Sequence, residues 1–318
     1  MSTRSKIISI TITLSLSLAG LWSVNENAGT TGFNALKMVH GARAMALGQS
    51  LTGEAINPDG LHFNPAAILN VPGPEVSTTY CNYFVDAQGG QVQLLLPKNK
   101  FTAWGLALKY MNMGTIERTE VDQFDNLIDD LGTFGAYNVT ASVSLAKFVS
   151  KALDFGGSLK VIYDTLDDAS AAAVLVDLGI IHHPFNEKVK VGVSLRNMGA
   201  QLSYYSDSKY KEKLPFTFAA GGSYRFSDKN YSLVEINKAD GENFNLRLGH
   251  EYNLTPDFAL RAGFRTNAAD WNNGGAMGWS SGLSLGAGLN WKNYRFDYAV
   301  SSYGDLGLVN QLSLVYEF

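Results

Sequence analysis

The chain is poor in cysteine, in charge and in long apolar runs. Its single cysteine, Cys81, cannot form an intramolecular disulfide, which excludes a disulfide-held fold. Charged residues make up 17% of the 318 residues, well below the roughly 25% that is usual in soluble proteins. No stretch is apolar over the length that a transmembrane helix needs. The formal net charge of −4 argues against a general nucleic-acid-binding protein, so no nucleic-acid partner is expected.

Motifs of several common enzyme and metal sites are also absent. The sequence contains no Walker phosphate-binding loop, no His-Glu-x-x-His and no Cys-x-x-Cys. His182 and His183 are adjacent, but neighbouring residues of a strand point to opposite faces, which does not favour a shared metal ion. A Ser-His-Glu hydrolase has no support beyond the presence of those residue types. We therefore expect a protein that is not an enzyme and that holds no cofactor or metal.

The chain begins with the features of a secretory signal. Arg4 and Lys6 precede an apolar stretch that ends in Ser17-Leu18-Ala19, a small-x-small cleavage site. This stretch is too short to span a bilayer as a helix. We predict that residues 1–19 are a cleaved signal peptide, although cleavage could also fall a few residues later. Residues 20–74 then form a separate N-terminal segment.

The last residues of the chain alternate between apolar and polar side chains, with the period of a β-strand. One side of this strand is apolar and ends on an aromatic residue: Leu312, Leu314, Tyr316 and Phe318. Soluble proteins avoid such an apolar edge strand, whereas in a transmembrane β-barrel it faces lipid and pairs with the first strand to close the sheet. Strands that end in this way resemble the signal read by the outer-membrane barrel-assembly machinery. An ordinary C-terminal edge strand is the alternative.

The same alternation recurs through residues 75–318 and predicts an all-β fold, a transmembrane antiparallel β-barrel of about fourteen strands. The predicted strands lie near residues 75–84, 89–97, 101–113, 133–149, 152–166, 169–183, 188–199, 214–226, 229–237, 243–253, 257–267, 279–291, 293–302 and 308–318. Every second connection is short, and three of the others are long: 114–132, 200–213 and 268–278. Short periplasmic turns and long outer loops are typical of barrels in the outer membrane of Gram-negative bacteria, where we expect the protein to contact lipid.

Many charged residues of these strands fall on the predicted luminal side. They are Arg196, Arg225, Arg247, Glu251, Arg261, Arg265, Arg295 and Asp297. These side chains could form a charged channel or anchor another segment inside the barrel. The alternative is an internal network in which opposite charges satisfy one another, as buried charges require. We favour the network, because both signs of charge are present.

The N-terminal segment carries the residues of a family resemblance. The run Gly41–Gly48 reads GARAMALG, and Asn64-Pro65-Ala66 follows it as the cap and start of a short helix. Further motifs come in order towards the end of the chain, including Arg196-Asn197-Met198-Gly199 and Gly304-Asp305-Leu306-Gly307. No single motif is specific. In this order they resemble the PorV/PorQ family of FadL-like outer-membrane barrels, which includes accessory proteins of the type IX secretion system.

This resemblance implies both a fold and a function. Residues of about 30–74 would fold into the lumen as a short helical plug, which would place Arg43, Asn64 and Pro65 inside the barrel. A periplasmic extension is the alternative. The protein would be a non-enzymatic accessory of type IX secretion that binds or holds exported cargo at the cell surface. A FadL-like channel for the uptake of hydrophobic compounds is the main alternative, and a purely structural barrel is a third.

Two of the long loops form the predicted partner surface. The first loop is acidic and includes Glu117, Asp122 and Asp125, while the second contains Tyr204, Tyr205 and Tyr210. Exposed tyrosines suit protein binding, and charge can steer a partner. An ordinary solvated loop is the alternative for the acidic one. The resemblance supplies the candidate partners, which are secretion-system subunits or the sorting domains of cargo.

Overall fold

A computed structural model of the protein describes residues 29–54, 58–124, 127–128, 131–184, 188–271 and 274–318. The predicted signal peptide and Asp125 lie outside the described residues. Within the described part of the chain, no helix is long and apolar enough to cross a membrane. Fourteen strands of that part form one closed antiparallel barrel, and two further strands form a small separate hairpin.

The barrel strands follow one another around the wall in chain order. The strands are β1 Glu75–Asn82, β2 Gln88–Asn99, β3 Thr102–Glu117, β4 Glu120–Val121, β5 Leu127–Ile128, β6 Thr133–Ser150, β7 Leu153–Leu166, β8 Ala169–His182, β9 Val189–Ser203, β10 Thr217–Arg225, β11 Asn230–Ala239, β12 Asn245–Asn253, β13 Phe258–Arg265, β14 Leu283–Trp291, β15 Tyr294–Ser302 and β16 Leu308–Glu317. β4 and β5 form the small hairpin, and β1 pairs with β16. The predicted fold class is therefore confirmed, including closure of the sheet by the last strand.

The pairing puts apolar side chains on the outside of the wall and polar side chains on the inside. On β16 and the residue after it, Leu312 and Phe318 are exposed by 55% and 67%, whereas Gln311 and Ser313 on the opposite side are buried. Leu314 and Tyr316 point outward too and are half-buried by their neighbours. β3 repeats the arrangement with exposed outward side chains: Trp104, Leu106, Leu108 and Tyr110. An apolar exterior of this kind fits the hydrocarbon core of a bilayer.

Some local features differ from the alternation in the sequence. β14 begins after the 3₁₀-helix Gly278–Ser280 and not at residue 279, because Gly282 has a φ of +82°, which interrupts an extended strand. β9 continues to Ser203 past an irregularity at Asn197, whose φ is +62°. The acidic loop contains the β4–β5 hairpin, which the alternation does not predict.

Residues 29–54 and 58–74, which we call the luminal segment, run through the inside of the barrel. Its helical turns are Asn34–Lys37, Ala42–Ala46, Gly60–Phe63 and Pro65–Asn70. We call the end of the barrel with the long connections the outer end and the end with the short turns the periplasmic end. The backbone N–H of Gly32 donates to Lys213 O at the outer end (3.0 Å), and the segment leaves at the periplasmic end, where β1 begins.

Candidate functional site

The wall accommodates the luminal segment because it carries glycine where the two backbones approach each other. A Cβ atom on Gly156 of β7 would lie 2.2 Å from Ala66 N and 2.3 Å from Pro65 C. A Cβ atom on Gly263 of β13 would lie 2.1 Å from Gly48 N. No larger residue fits at these distances, so the luminal segment packs directly against the backbone of the wall.

Asn64 forms hydrogen bonds both within the luminal segment and to the wall. Its Oδ1 accepts a hydrogen bond from Ala66 N (3.1 Å), which caps the 3₁₀-helix that starts at Pro65. Its Nδ2 donates to Thr52 O (2.8 Å) and to Ile180 O of β8 (2.9 Å). Asn64 is fully buried, and its bonds with Ala66 and Thr52 are buried with it.

The closing strand also holds the luminal segment, through two polar side chains that face the lumen. Gln311 Oε1 accepts from Gly41 N (2.8 Å), and Gln311 Nε2 donates to Val39 O (2.8 Å). Ser313 Oγ accepts from Ala42 N (2.9 Å). The predicted luminal side of β16 contains both residues, but its pattern does not identify their partners.

A second anchor comes from β3, which lies three strands away from β16 around the wall. Lys109 of β3 is buried, and its Nζ donates to Ala35 O (2.7 Å) and Met38 O (3.2 Å). These carbonyls belong to the first helical turn of the luminal segment and the residue after it. The alternation of β3 places Lys109 on the luminal side. The sequence does not show, however, which carbonyl groups this lysine contacts.

Arg43 of the luminal segment reaches the wall towards the periplasmic end. Its Nε donates to Glu251 Oε2 at 3.0 Å, and its Nη2 lies 3.8 Å from Glu54 Oε2. The three side chains are 11%, 13% and 6% exposed, in the order Arg43, Glu251 and Glu54. Because removal of one partner would leave a buried charge without compensation, these pairs favour an anchoring role for Arg43.

The wall continues this charge network. Arg261 Nε lies 2.6 Å from Glu251 Oε2, and Arg261 Nη1 lies 2.5 Å from Asp297 Oδ1. Arg295 Nε lies 3.1 Å from Asp297 Oδ2. These residues alternate in sign and are bonded to one another, so four of the eight predicted luminal charges form one ion-pair network.

The remaining luminal arginines lie in two different places. Arg225 is exposed and lines a cavity at the periplasmic end. Arg196, Arg247 and Arg265 are buried and line a cavity towards the outer end. Arg247 Nη1 lies 3.3 Å from Glu235 Oε1. The structure therefore places four of the eight wall charges in the paired network, three in an outer group with fewer acids, and Arg225 by itself at the periplasmic cavity.

The outer and the periplasmic cavity are each lined in part by the luminal segment. The outer cavity has a volume of about 340 Å³ and is lined from the luminal segment by residues that include Val39 and Gln49. The periplasmic cavity has a volume of about 440 Å³ and is lined from the same segment by Arg43 and Glu54. No described residue of the luminal segment lines both cavities.

Burial changes the acid–base behaviour of the luminal segment. Burial raises the pKa of Asp59 from its usual 3.8 to about 6, partly opposed by the charge of Arg295. Burial likewise raises the pKa of Glu54, partly opposed by Arg43. Both carboxyl groups therefore bind a proton more readily in the docked segment than in an unfolded chain.

We expect the luminal segment to dock more tightly at pH 5 than at pH 7.5. A carboxyl group whose pKa is raised on folding stabilises the fold at low pH, and this contribution is lost as the pH rises through about 6. Thermal unfolding of the detergent-solubilised protein checks this. From pH 5 to pH 7.5, the Tm of the wild type should decrease by more than the Tm of Asp59→Asn does. The side chain of this variant stays neutral at both pH values. Equal falls in the two proteins would contradict the assignment to Asp59.

The two predicted partner loops differ in how far their side chains are exposed to solvent. In the acidic loop, Glu117 is exposed and Asp122 is half-buried. In the second loop, Tyr210 is 69% exposed, whereas Tyr204 and Tyr205 are half-buried. The ring of Tyr205 lies 6.0 Å from that of Phe33 in the luminal segment. Part of the second loop therefore packs inward onto the luminal segment instead of facing solvent.

The connection before β14 contains an enzyme-like motif. Residues Gly278–Gly282 read GWSSG and match Gly-x-Ser-x-Gly, the nucleophile turn of many hydrolases. Here the central serine, Ser280, lies at the end of a 3₁₀-helix and its Oγ bonds to Met277 O (2.8 Å) and Ser302 Oγ (2.7 Å). These two bonds link Ser280 to its own turn and to the end of β15.

Comparisons with known proteins give the class of this fold. No family model and no curated protein matches the chain. The chain is similar to the crystal structure of a Pseudomonas aeruginosa FadL homologue, with 14% identity, a TM-score of 0.57, and coverage of 88% of this chain and 98% of that chain. It is similar to the Ralstonia pickettii toluene transporter TbuX, with 14% identity, a TM-score of 0.59, and coverage of 91% and 99%. It is also similar to the Pseudomonas putida toluene transporter TodX, with 11% identity, a TM-score of 0.61, and coverage of 87% and 96%.

The protein therefore has the fold of a FadL-like outer-membrane β-barrel. At these identities the likeness establishes the fold alone. It bears out the FadL-like part of the resemblance found in the sequence, but it gives no support to the narrower PorV/PorQ assignment or to type IX secretion. Two of these structures, TbuX and TodX, are named as toluene transporters.

Proposed function

We propose that the protein binds small hydrophobic compounds inside its barrel and admits them across the outer membrane, to which it is exported. The observation that carries this proposal is the aromatic side of the outer cavity. The ring of Tyr303 lies 6.5 Å from Tyr83, 5.7 Å from Phe84 and 4.3 Å from Trp271, measured between centroids. All four side chains line the cavity. Aromatic walls with a few polar groups are typical of sites for small apolar ligands.

The similar structures support the same function. TbuX and TodX are both named as toluene transporters. The fold comparison therefore favours uptake of hydrophobic compounds over the secretion role that the sequence resemblance implies.

Uptake of radiolabelled toluene by cells of a Gram-negative host tests the proposal. Intact cells are needed because the lipopolysaccharide leaflet, and not a phospholipid bilayer, is the barrier to such compounds. We expect faster uptake with the wild type than with an empty vector. Ala239→Phe should return uptake to background, because Ala239 is buried on the outer cavity and the added ring fills it.

Val234→Phe provides the matched control on the same strand, because Val234 is 46% exposed on the outer face of β11. This variant should retain wild-type uptake, and heat-modifiable migration on gels should show that both variants fold. Background uptake by the folded wild type would refute the channel proposal.

The second candidate function is the type IX accessory role, and the acidic loop favours it. Phe124 is 74% exposed there, and Ile116 and Ile128 are 37% and 38% exposed. Exposed apolar side chains within a charged surface fit a protein partner. Co-purification of a cargo sorting domain with the barrel, together with background uptake of toluene, would favour this candidate over the channel.

A further inference from the structure

We propose that the outer cavity selects compact aromatic carboxylates, of which benzoate is the simplest, over neutral hydrocarbons of the same size. The inference deepens the proposed function and rests on it for transport. The selectivity itself follows from the side chains of the cavity. These supply an excess of positive charge, two buried arginines with free donors, and an aromatic wall around a small volume.

Positive charge exceeds negative charge around the outer cavity. Its basic lining residues are Lys37, Arg196, Arg247 and Arg265, and its acidic lining residue is Glu242. Lys37 Nζ lies 3.0 Å from Glu242 Oε1, and Arg247 pairs with a carboxylate of the wall at 3.3 Å. The other two arginines form no ion pair within the described chain. A buried cation that no carboxylate contacts directly is costly, so an anionic ligand would stabilise the site.

Arg196 is held in place but keeps a donor free. It is 5% exposed, its Nη1 donates to His62 O (3.1 Å), and its guanidinium lies 5.7 Å from the centre of the Phe63 ring. Its Nε is buried and has no hydrogen-bond partner. Burial also keeps the pKa of His62 well below its usual range, so the imidazole is neutral and accounts for none of the positive charge.

Arg265 has the same combination of rigidity and unused donor capacity. It is 3% exposed and lies against two rings, 4.8 Å from the centre of Trp271 and 5.0 Å from that of Tyr303. Its Nη2 donates to Ser301 Oγ (3.4 Å), and its Nε has no partner. A planar guanidinium stacked in this way is preorganised to donate to a carboxylate with strong, charge-assisted bonds.

The remaining wall and the volume define the body of the ligand. Trp271 and Tyr303 contact Arg265 and also belong to the aromatic cluster, so the apolar and cationic surfaces of the cavity adjoin. The volume of about 340 Å³ is at the lower end of the roughly 300–1,000 Å³ of small-molecule sites. One or two aromatic rings that bear a carboxylate match these features.

Equilibrium binding to the detergent-purified full-length protein tests the inference, with benzoate, toluene and hexanoate as separate calorimetric probes at neutral pH. Benzoate and toluene have the same ring and differ in charge, while hexanoate has the charge without the ring. We expect benzoate to bind about ten-fold more tightly than toluene, as charge-assisted hydrogen bonds predict. Hexanoate should bind more weakly than benzoate.

Arg196→Gln and Arg265→Gln should each weaken benzoate binding about ten-fold and leave toluene binding unchanged. Arg265→Lys keeps the charge without the planar fork and should lose only part of this affinity. Arg225→Gln is the control, because Arg225 lines the periplasmic cavity instead. Heat-modifiable migration again shows which variants fold.

Two results of the binding comparison would overturn the inference. The first is toluene binding to the wild type as tightly as benzoate does, and the second is an equal loss of both ligands in the two glutamine variants. Toluene uptake by cells without benzoate binding would leave the proposed function standing and remove the inference. Benzoate binding without uptake of any hydrophobic compound would leave the selectivity of the cavity standing and remove the proposed function.

Discussion

Gly156→Val is expected to displace the luminal segment from its packing against β7 and to open the barrel to ions. A side chain at Gly156 points into the lumen, where even its Cβ atom would lie 2.2 Å from Ala66 N. Because the obstructing atoms are backbone and cannot rotate away, the cost should reach or exceed the roughly 1–3 kcal/mol that is usual for overpacking. Single barrels of the variant in planar bilayers should conduct more current, and more steadily, than the wild type.

Gly157→Val is the matched control, because the next residue of β7 points to the opposite face. A Cβ atom there would have its nearest contacts at 3.7 Å, to Asp177 O and Leu178 Cδ2, which is ordinary van der Waals distance. We expect wild-type conductance and a change in stability within about 0.5 kcal/mol. Equal conductance of the two variants would show that Gly156 does not seat the luminal segment.

The wall of the barrel is predictable from the sequence because its signal is local. Alternation with a period of two residues fixes which side chains face lipid, and loop lengths fix which end is which. The signal fails where a backbone leaves the extended region. Gly282, with its φ of +82°, shifts the start of β14, and Asn197, with a φ of +62°, lies at an irregularity of β9.

The contents of the lumen are less predictable, because their partners are distant in the sequence. Arg43 and Glu251 are 208 residues apart, and Gly41 and Gln311 are 270 residues apart. The alternation places the wall residues on the inside but does not say which of them pair. Nor can the sequence show that Arg196 and Arg265 have no acidic partner among the described residues, because the absence of a contact leaves no pattern in the sequence.

Arg43→Met should release the luminal segment from the charge network with a large loss of stability. The variant keeps much of the side-chain volume but leaves Glu54 without its ion pair, and Glu251 keeps Arg261 at 2.6 Å. Breaking a buried pair by removing one partner costs about 3–5 kcal/mol. Hydrogen exchange of residues 41–50, measured by mass spectrometry, should therefore show that protection falls by about a hundred-fold or more.

A second substitution separates lost charge from lost packing. In Arg43→Met with Glu54→Gln, the stranded carboxylate is gone, so protection should recover in part, and the double-mutant cycle gives the coupling between the two residues. Arg225→Met removes an exposed arginine that forms no ion pair in the described part of the chain, and it should leave exchange unchanged. If Arg43→Met exchanges like the wild type, the network does not hold the luminal segment, and the glycine contacts and the bonds from Gln311 must do so alone.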